Sequence, residues 1–375
     1  MKKPIVLVVG AFPNSKKPIF GGFVTVCNAL LESSFQDKFR LILIDSTQTS
    51  NPPPNFLVRT AFALKRFFLF VYHLILEKPQ AVLIFTASGF GLLEKGMMGR
   101  LAQVRGVPNL MFPGGGYLLK NYDNSLRMRF FSSIALKKAD KILCQGKQWQ
   151  DFAVEKFGFS LENTPIVENW TATEKFLKIG DERDFSDISE KKIRVLFVGW
   201  LDREKGVMEI LDALVHSSLS QSISLELVGE GNAYMDAREW VEKNSLSEIV
   251  SFRGWLQAGD LEAAYRNADV FLLPSWMEGL PNAMVEAMAS GLVPVVSAVG
   301  NIPSVVTHGE NGLLVQPKDS RSIELALQQI LLDRSLVEKL GKKACQFARE
   351  NFSTEVAVGK LTKVLLEVIN SSSTK

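Results

Sequence analysis

Three cysteines in 375 residues, Cys27, Cys144 and Cys345, are too few and too widely spaced for a disulfide framework or a zinc site. They are expected as reduced thiols in a core. No apolar run, residues 67–72 included, approaches the roughly 20 residues that span a bilayer. The opening MKKPIVLVVGAFPNSKK places two lysines before an apolar run, but Pro13, Asn14 and Lys16 interrupt it, so a first β-strand fits better than a secretory signal. A cytoplasmic chain is expected, at most held peripherally on the inner face of a membrane. Nucleic-acid motifs and internal repeats are absent, and the only low-complexity tract is the Ser-rich tail 371–374, expected to be disordered.

What is present is enough apolar sequence, 46%, for two cores, and two domains of roughly 170 residues are the natural division. The formal charge of +3 conceals an asymmetry: residues 1–180 hold 23 basic and 12 acidic groups, leaving 20 basic and 28 acidic in the remainder. A basic first half attracts a phosphorylated substrate or an anionic membrane surface, in the absence of any nucleic-acid motif.

Short runs of Val, Ile, Leu and Phe, separated by helix-length segments, recur throughout and signal parallel sheets covered by helices. The expected strands are 5–9, 41–45, 81–85, 109–112 and 141–144 in the first half. Those of the second are 194–198, 224–228, 250–252, 270–273, 293–297 and 312–315. Between the two series, the charged stretch 171–192 has little apolar periodicity and is expected as a linker. The resulting division is a first domain at 1–172, a linker at 173–192, a second domain at 193–352, and a C-terminal helix and tail at 353–375. Ligands of open α/β sheets bind beyond the carboxyl ends of the strands, so two facing sheets would place the site in a cleft.

The most informative segment is residues 270–319, which reads as strand, tight loop, helix, strand. Pro281 suits the first turn of that helix, where its missing amide costs nothing. Backbone amides at a helix start, with the positive end of the dipole, form a site for a diphosphate. Glu278 lies in the loop before the helix and Glu286 within it, seven residues between them. A carboxylate accepts two hydroxyl hydrogen bonds at once, which suits a ribose or a hexose.

PSWMEG followed by EAMASGLVPVV resembles the paired-glutamate signature of retaining GT-B glycosyltransferases of family 4, also called glycosyl transferases group 1. The resemblance implies two Rossmann-like α/β domains facing across a cleft, with the C-terminal helix returning to the first. It implies Glu286 on the ribose hydroxyls, Glu278 against the transferred sugar as the catalytic residue, and the backbone of Gly279, Leu280, Pro281 and Asn282 around sugar and phosphate. VLFVGWLDREKG, residues 195–206, resembles the strand and Lys-Gly loop that make Lys205 the cation on the donor diphosphate. LELVGEGNAY adds a Gly-x-Gly, with Tyr234 where a dinucleotide fingerprint wants its third glycine. VSFRGWL, residues 250–256, resembles the segment that reads the base, near Arg253. Gly21 and Gly22 stand where the family lets backbone approach donor phosphates and acceptor; a plain turn accounts for them equally well.

The chain departs from the pattern in two places. Trp200 occupies the position of a common diphosphate-binding arginine, with Arg203 nearby in the loop. FPGGGYLL lacks the histidine many members carry there, and none of His73, His216 and His308 aligns with it. Gly114, Gly115 and Gly116 supply either backbone contacts or a flexible turn. No Asp-x-Asp follows a strand, so Lys205 and helix-start amides are expected to meet the leaving charge without a metal or other cofactor.

The expected activity is transfer from a nucleotide-diphosphate sugar, UDP or GDP unresolved, to a glycan or lipid-linked acceptor with retention, as in bacterial surface polysaccharide synthesis. The alternative is a degenerate protein that binds nucleotide sugar without turnover; an epimerase lacks this arrangement, and a phosphorylase is expected to be larger and to use a pyridoxal cofactor. An anionic membrane surface is a further candidate partner for residues 1–172. Segment 59–78 places Arg59, Arg66, His73 and Glu77 on a narrow polar stripe of an apolar helix, expected chiefly to pack on the sheet. Segment 125–138 surrounds paired phenylalanines with Arg127, Arg129, Lys137 and Lys138, and suits either packing or a membrane.

Overall fold

The computed structural model describes residues 3–12, 21–47, 54–87, 89–186, 188, 191–215 and 219–373. The chain forms two compact units: Met1–Trp170 with Thr354–Lys375, and Thr171–Ser353.

Unit 1 is built on five parallel strands, β1 (Ile5–Gly10), β2 (Arg40–Asp45), β3 (Ala81–Thr86), β4 (Asn109–Pro113) and β5 (Lys141–Ile142), in the order β2-β1-β3-β4-β5. This is one of the two common doubly wound orders. Every residue of β3 is buried, which explains why the central strands read as unbroken apolar runs rather than alternating ones. Alternate side chains feed opposite faces. Val6, Val8, Leu83 and Phe85 join one core, while Leu7, Val9, Val82 and Ile84 join the other.

The first core is closed by the helix Thr354–Ser373, which returns to unit 1 from the far end of the sequence. Its Ala357, Val358, Leu361, Val364, Leu365, Val368 and Ile369 are buried at helical spacing against the helix Gly22–Glu32 and the sheet. Trp170 anchors the end of the first segment of unit 1: fully buried, it donates from Nε1 to the Val26 carbonyl at 2.7 Å and packs on Phe112. The helix runs through Ser371, Ser372 and Ser373, so these residues of the Ser-rich tail are ordered, contrary to expectation. The hydroxyls of Ser371 and Ser372 donate back to the carbonyls of Glu367 and Val368, satisfying both within the last turns. Thr374 lies outside the described residues.

Unit 2 carries six parallel strands: β6 (Ile193–Val198), β7 (Ile223–Val228), β8 (Val250–Gly254), β9 (Val270–Leu273), β10 (Val293–Ser297) and β11 (Leu313–Val315). Their order is β11-β10-β9-β6-β7-β8. Counted from β6 as first, this is the Rossmann order 3-2-1-4-5-6, whose direction reverses between β6 and β9. Val195 of β6 pairs with Leu225 on one side and Val270 on the other, marking that switch point.

The stretch expected as a linker belongs to this unit. Helix Glu174–Asp181 buries Leu177 and Ile179, and the guanidinium of Arg183 donates to the carbonyls of Ser290, Ala268 and Tyr265 at 2.6–2.8 Å. An arginine that hydrogen-bonds the carbonyls of three buried residues ties its segment to the core, and the charge-rich sequence disguises it.

Segment 59–78 also corrects its expectation. The helix Phe56–Leu76, capped by the Asn55 side chain accepting from the Val58 amide, buries only Phe70 and Leu74. It lies on the side of β2, an edge strand that is itself only partly covered. Its polar Arg66 turns inward to a bidentate pair with Glu94 at 2.7–2.8 Å. The apolar face is left outside. In the second basic segment, helix Leu126–Leu136 buries Ser132, Ala135 and Leu136, leaving Leu126 and Phe130 exposed. The three thiols are unpaired and buried, as expected.

Candidate functional site

The candidate site gathers at the carboxyl ends of the unit 2 strands. β9 ends at Leu273 and the chain turns through residues 274–281 before the helix Asn282–Ala289. In that turn the Glu278 carboxylate accepts from Lys205 Nζ at 2.6 Å and from Ser275 Oγ at 2.8 Å, both at Oε1. Lys205 comes from the 3-10 turn Arg203–Lys205 that follows β6. Two residues 73 positions apart are thus brought together across the switch point. Ser275 and Glu278 are three residues apart within PSWMEG, so a local hydroxyl partner was readable there; the Lys205–Glu278 contact was not.

Two glycines make the approach possible. Gly206 follows Lys205 at φ 76°, where a Cβ would lie 2.3 Å from the Pro274 carbonyl oxygen. Gly300 takes φ 58° with Glu278 O 2.1 Å from such an atom. Both need the left-handed region and the missing side chain. The Asn301 amide donates to the Gly279 carbonyl at 2.9 Å, and Trp276 is held at both ends, its amide donating to Glu204 O and its Nε1 to Glu209. The loop is therefore held on several sides by the protein itself.

Pro281 is the N-cap of the helix rather than a residue of its first turn, with φ −70° and ψ 123°, and no side chain caps the helix. Proline fits because the cap position needs an extended backbone but no amide. The helix start keeps the partial positive charge of its dipole. Glu286 lies inside this helix, 5% exposed, and accepts from the Tyr265 hydroxyl at 2.9 Å. Burial pushes the Glu286 carboxyl up to about 7, and the Tyr265 hydrogen bond opposes that only in part. Tyr265 is fully buried, its ring edge-on to Phe176 at 5.2 Å, and burial raises its phenol well above 10.0. Sequence reasoning missed Tyr265 because it sits on a separate helix, Ala258–Asn267, at no motif spacing from Glu286.

The remaining expected residues are placed as follows. Arg253 on β8 extends to Glu226 of β7 at 3.3 Å and is half exposed. The segment after it turns toward the neighbouring loops: the Gly229 amide donates to the Gly254 carbonyl, and Trp255 meets Trp200 edge to face at 4.9 Å. Trp200 thus has an aromatic partner, not an ionic one. Arg203, the nearby alternative cation, pairs with Asp236 at 2.6 Å. The Gly-x-Gly residues 229–231 pack on the loop after β6, where the Asn232 amide donates to Asp202. Gly21 and Gly22 belong to unit 1, as N-cap and first residue of the helix Gly22–Glu32; residues 13–20 before them lie outside the described residues. Gly114 packs on Phe23, and its amide donates to Thr86 O. His308 Nδ1 accepts from the Leu314 amide, a structural use. Among the described residues, no group of three or more His, Cys, Asp or Glu could hold a metal ion.

Residues 178–347 match the family model described as glycosyl transferases group 1. An uncharacterized glycosyltransferase of Methanocaldococcus jannaschii is 24% identical over 373 residues, 97% of this chain and 99% of the relative. Other curated relatives are matched over 29–62% of their own length. Among solved structures, sucrose-phosphate synthase from Thermosynechococcus elongatus superimposes with a TM-score of 0.79 at 19% identity, covering 98% of this chain and 100% of that one. Anabaena HepE, solved with UDP and glucose, gives 0.72 at 17% identity, covering 97% and 100%. These two likenesses are of fold, two parallel-sheet α/β domains of GT-B type.

Proposed function

We propose, on the premise that unit 2 belongs with glycosyl transferases group 1 of GT-B type, that the chain transfers a sugar from a nucleotide-diphosphate donor to a glycan or lipid-linked acceptor. The observation that carries this reading is the meeting of Lys205 and Glu278 at the Rossmann switch point, beside the helix that holds Glu286. Open α/β sheets bind nucleotides at that place. Of the bases considered, uridine comes first, since HepE was solved with UDP.

Each residue then has a task. Glu286, ionised, accepts both ribose hydroxyls. The donor diphosphate lies against the helix start, with Gly279, Leu280, Pro281 and Asn282 lining it, and draws the Lys205 ammonium away from Glu278. Glu278 is thereby freed to accept hydroxyls of the transferred sugar, and Ser275 keeps it in place. Arg253 and its neighbours border the base. The bond between the anomeric carbon and the phosphate oxygen breaks as the acceptor oxygen bonds on the same face. The leaving phosphate takes the acceptor proton, and because attack and departure share one face, configuration is retained. Charge developing on the diphosphate meets Lys205 and the helix dipole, the preorganised electrostatics that dominate such steps, and turnover is expected to withstand chelators of divalent metals. The acceptor fits surface polysaccharide synthesis.

One observation favours a second reading, a nucleotide-sugar-binding protein without turnover. Trp200 replaces an arginine and Arg203 is engaged with Asp236, which leaves Lys205 to meet the diphosphate. A panel of UDP-, GDP- and ADP-sugars tested by thermal shift identifies the donor, since binding to the native state raises its melting temperature. Consumption of that donor in the presence of membrane extract separates the two readings. A panel with no stabilising member counts against both.

A further inference from the structure

The helix Phe56–Leu76 is amphipathic in the reverse sense. Its Arg66 faces inward to Glu94, whereas Leu57, Leu64, Phe68 and Tyr72, at helical spacing along the outer face, are 54–78% exposed. That stripe runs for about 22 Å at 1.5 Å per residue. A water-soluble helix places such residues inside, and a contiguous apolar patch of this size marks an interaction surface.

The charges left unpaired around it are cationic, since Glu77 at the helix C-cap is paired with Arg40. No acidic residue occurs between Phe56 and Leu76, and the exposed Lys65, on the flank of the stripe, has no ion-pair partner among the described residues. The helix Phe90–Val104, packed alongside, carries one acid, Glu94, already neutralised by Arg66, and an exposed Arg100. Leu126–Leu136, packed on that helix in turn, exposes Leu126 and Phe130 with Arg127 and Arg129. All three helices cover the same face of the unit 1 sheet, for Phe70, Met98 and Leu136 share one core.

We propose that this outer helical layer of unit 1, centred on Phe56–Leu76, docks on an anionic lipid bilayer. The apolar stripe enters the boundary between headgroups and acyl chains, and the cations lie among the phosphates. Among the described residues no helix is long and apolar enough to cross a membrane, so this one lies in the plane. A protein partner would have to present an apolar, acidic face, whereas a bilayer offers that combination without positional matching. The proposal deepens the reading of a lipid-linked acceptor by naming the surface that brings unit 1 to it.

The test uses the full chain in sedimentation with vesicles of phosphatidylcholine alone or mixed with phosphatidylglycerol. Binding to the mixed vesicles is expected to exceed binding to phosphatidylcholine by at least about tenfold at low salt and to fall as salt rises. Leu64→Glu with Phe68→Glu, and separately Lys65→Glu with Arg127→Glu, should each lower it by about tenfold or more; these side chains are exposed, so the far-UV spectrum should not change. No binding to mixed vesicles at low salt, or undiminished binding by both variants, overturns the proposal. So does lipid-free self-association that Leu64→Glu with Phe68→Glu abolishes, which would assign the face to a second copy. UDP-glucose titration of the same samples reads the donor site separately, so the failure of one reading is distinguishable from the failure of the other.

Discussion

Raising the pH from 6 to 8 should tighten UDP-glucose binding by about tenfold, because the Glu286 carboxylate must be ionised to accept two ribose hydroxyls. With its carboxyl pushed up to about 7 by burial, roughly one tenth is ionised at pH 6 and nine tenths at pH 8. Affinity scales with the competent fraction. UDP-glucose suits the assay because its diphosphate, esterified at both ends, has no proton to lose in this range. Tyr265→Phe removes the hydroxyl that favours the ionised form, so the midpoint should move upward, by about one pH unit if the bond is worth roughly 1.4 kcal/mol. Stability of the ligand-free protein should run the other way. Between 4.5, the ordinary value, and about 7, the native state holds a proton that the unfolded state has released, so stability falls as pH rises through that interval. The gap corresponds to about 3 kcal/mol in the fully ionised range, and Glu286→Gln should recover much of it at pH 8 but little at pH 5. Calorimetric titration across pH, paired with denaturant melts, reads both effects. Affinity that stays flat from pH 6 to 8 would refute the assignment of Glu286 to the ribose.

Lys205→Ala should weaken UDP-glucose by about 1.5–3 kcal/mol and uridine hardly at all, since the charge-assisted bond needs phosphate; equal losses in calorimetry would make Lys205 structural. Glu278→Gln should lower turnover while leaving UDP affinity unchanged or improved, because the Lys205 ammonium no longer has a carboxylate competing for it. Turnover at the wild-type rate would remove Glu278 from the reaction. Leu361→Ala on the C-terminal helix, fully buried in the unit 1 core, should cost about 2–5 kcal/mol in denaturant unfolding; a cost under 1 kcal/mol would mean that this helix is not integral to unit 1.

All eleven expected strands were legible in the sequence to within two residues at each end, the central ones because a strand buried on both faces, such as β3, must be apolar throughout. Boundaries set by long-range polar contacts were not. Arg183 looks like part of a solvated charged stretch until its three carbonyl partners, 82–107 positions away, are in view. The helix Phe56–Leu76 was recognisable as a helix, but not which side it buries: that depends on Glu94 drawing Arg66 inward. At the site, Glu278, Lys205 and Glu286 stand out through their motifs, while Tyr265 and the direct Lys205–Glu278 pair arise only when separate elements converge.

The most direct test of the central claim follows the anomeric proton of the donor by NMR, with the nucleotide sugar that the full chain binds and a membrane extract as acceptor source. The account predicts that nucleoside diphosphate accumulates together with a new anomeric signal of the donor's own configuration, and that Glu278→Gln suppresses both. Release of nucleoside monophosphate and sugar phosphate, or a product of inverted configuration, would contradict it.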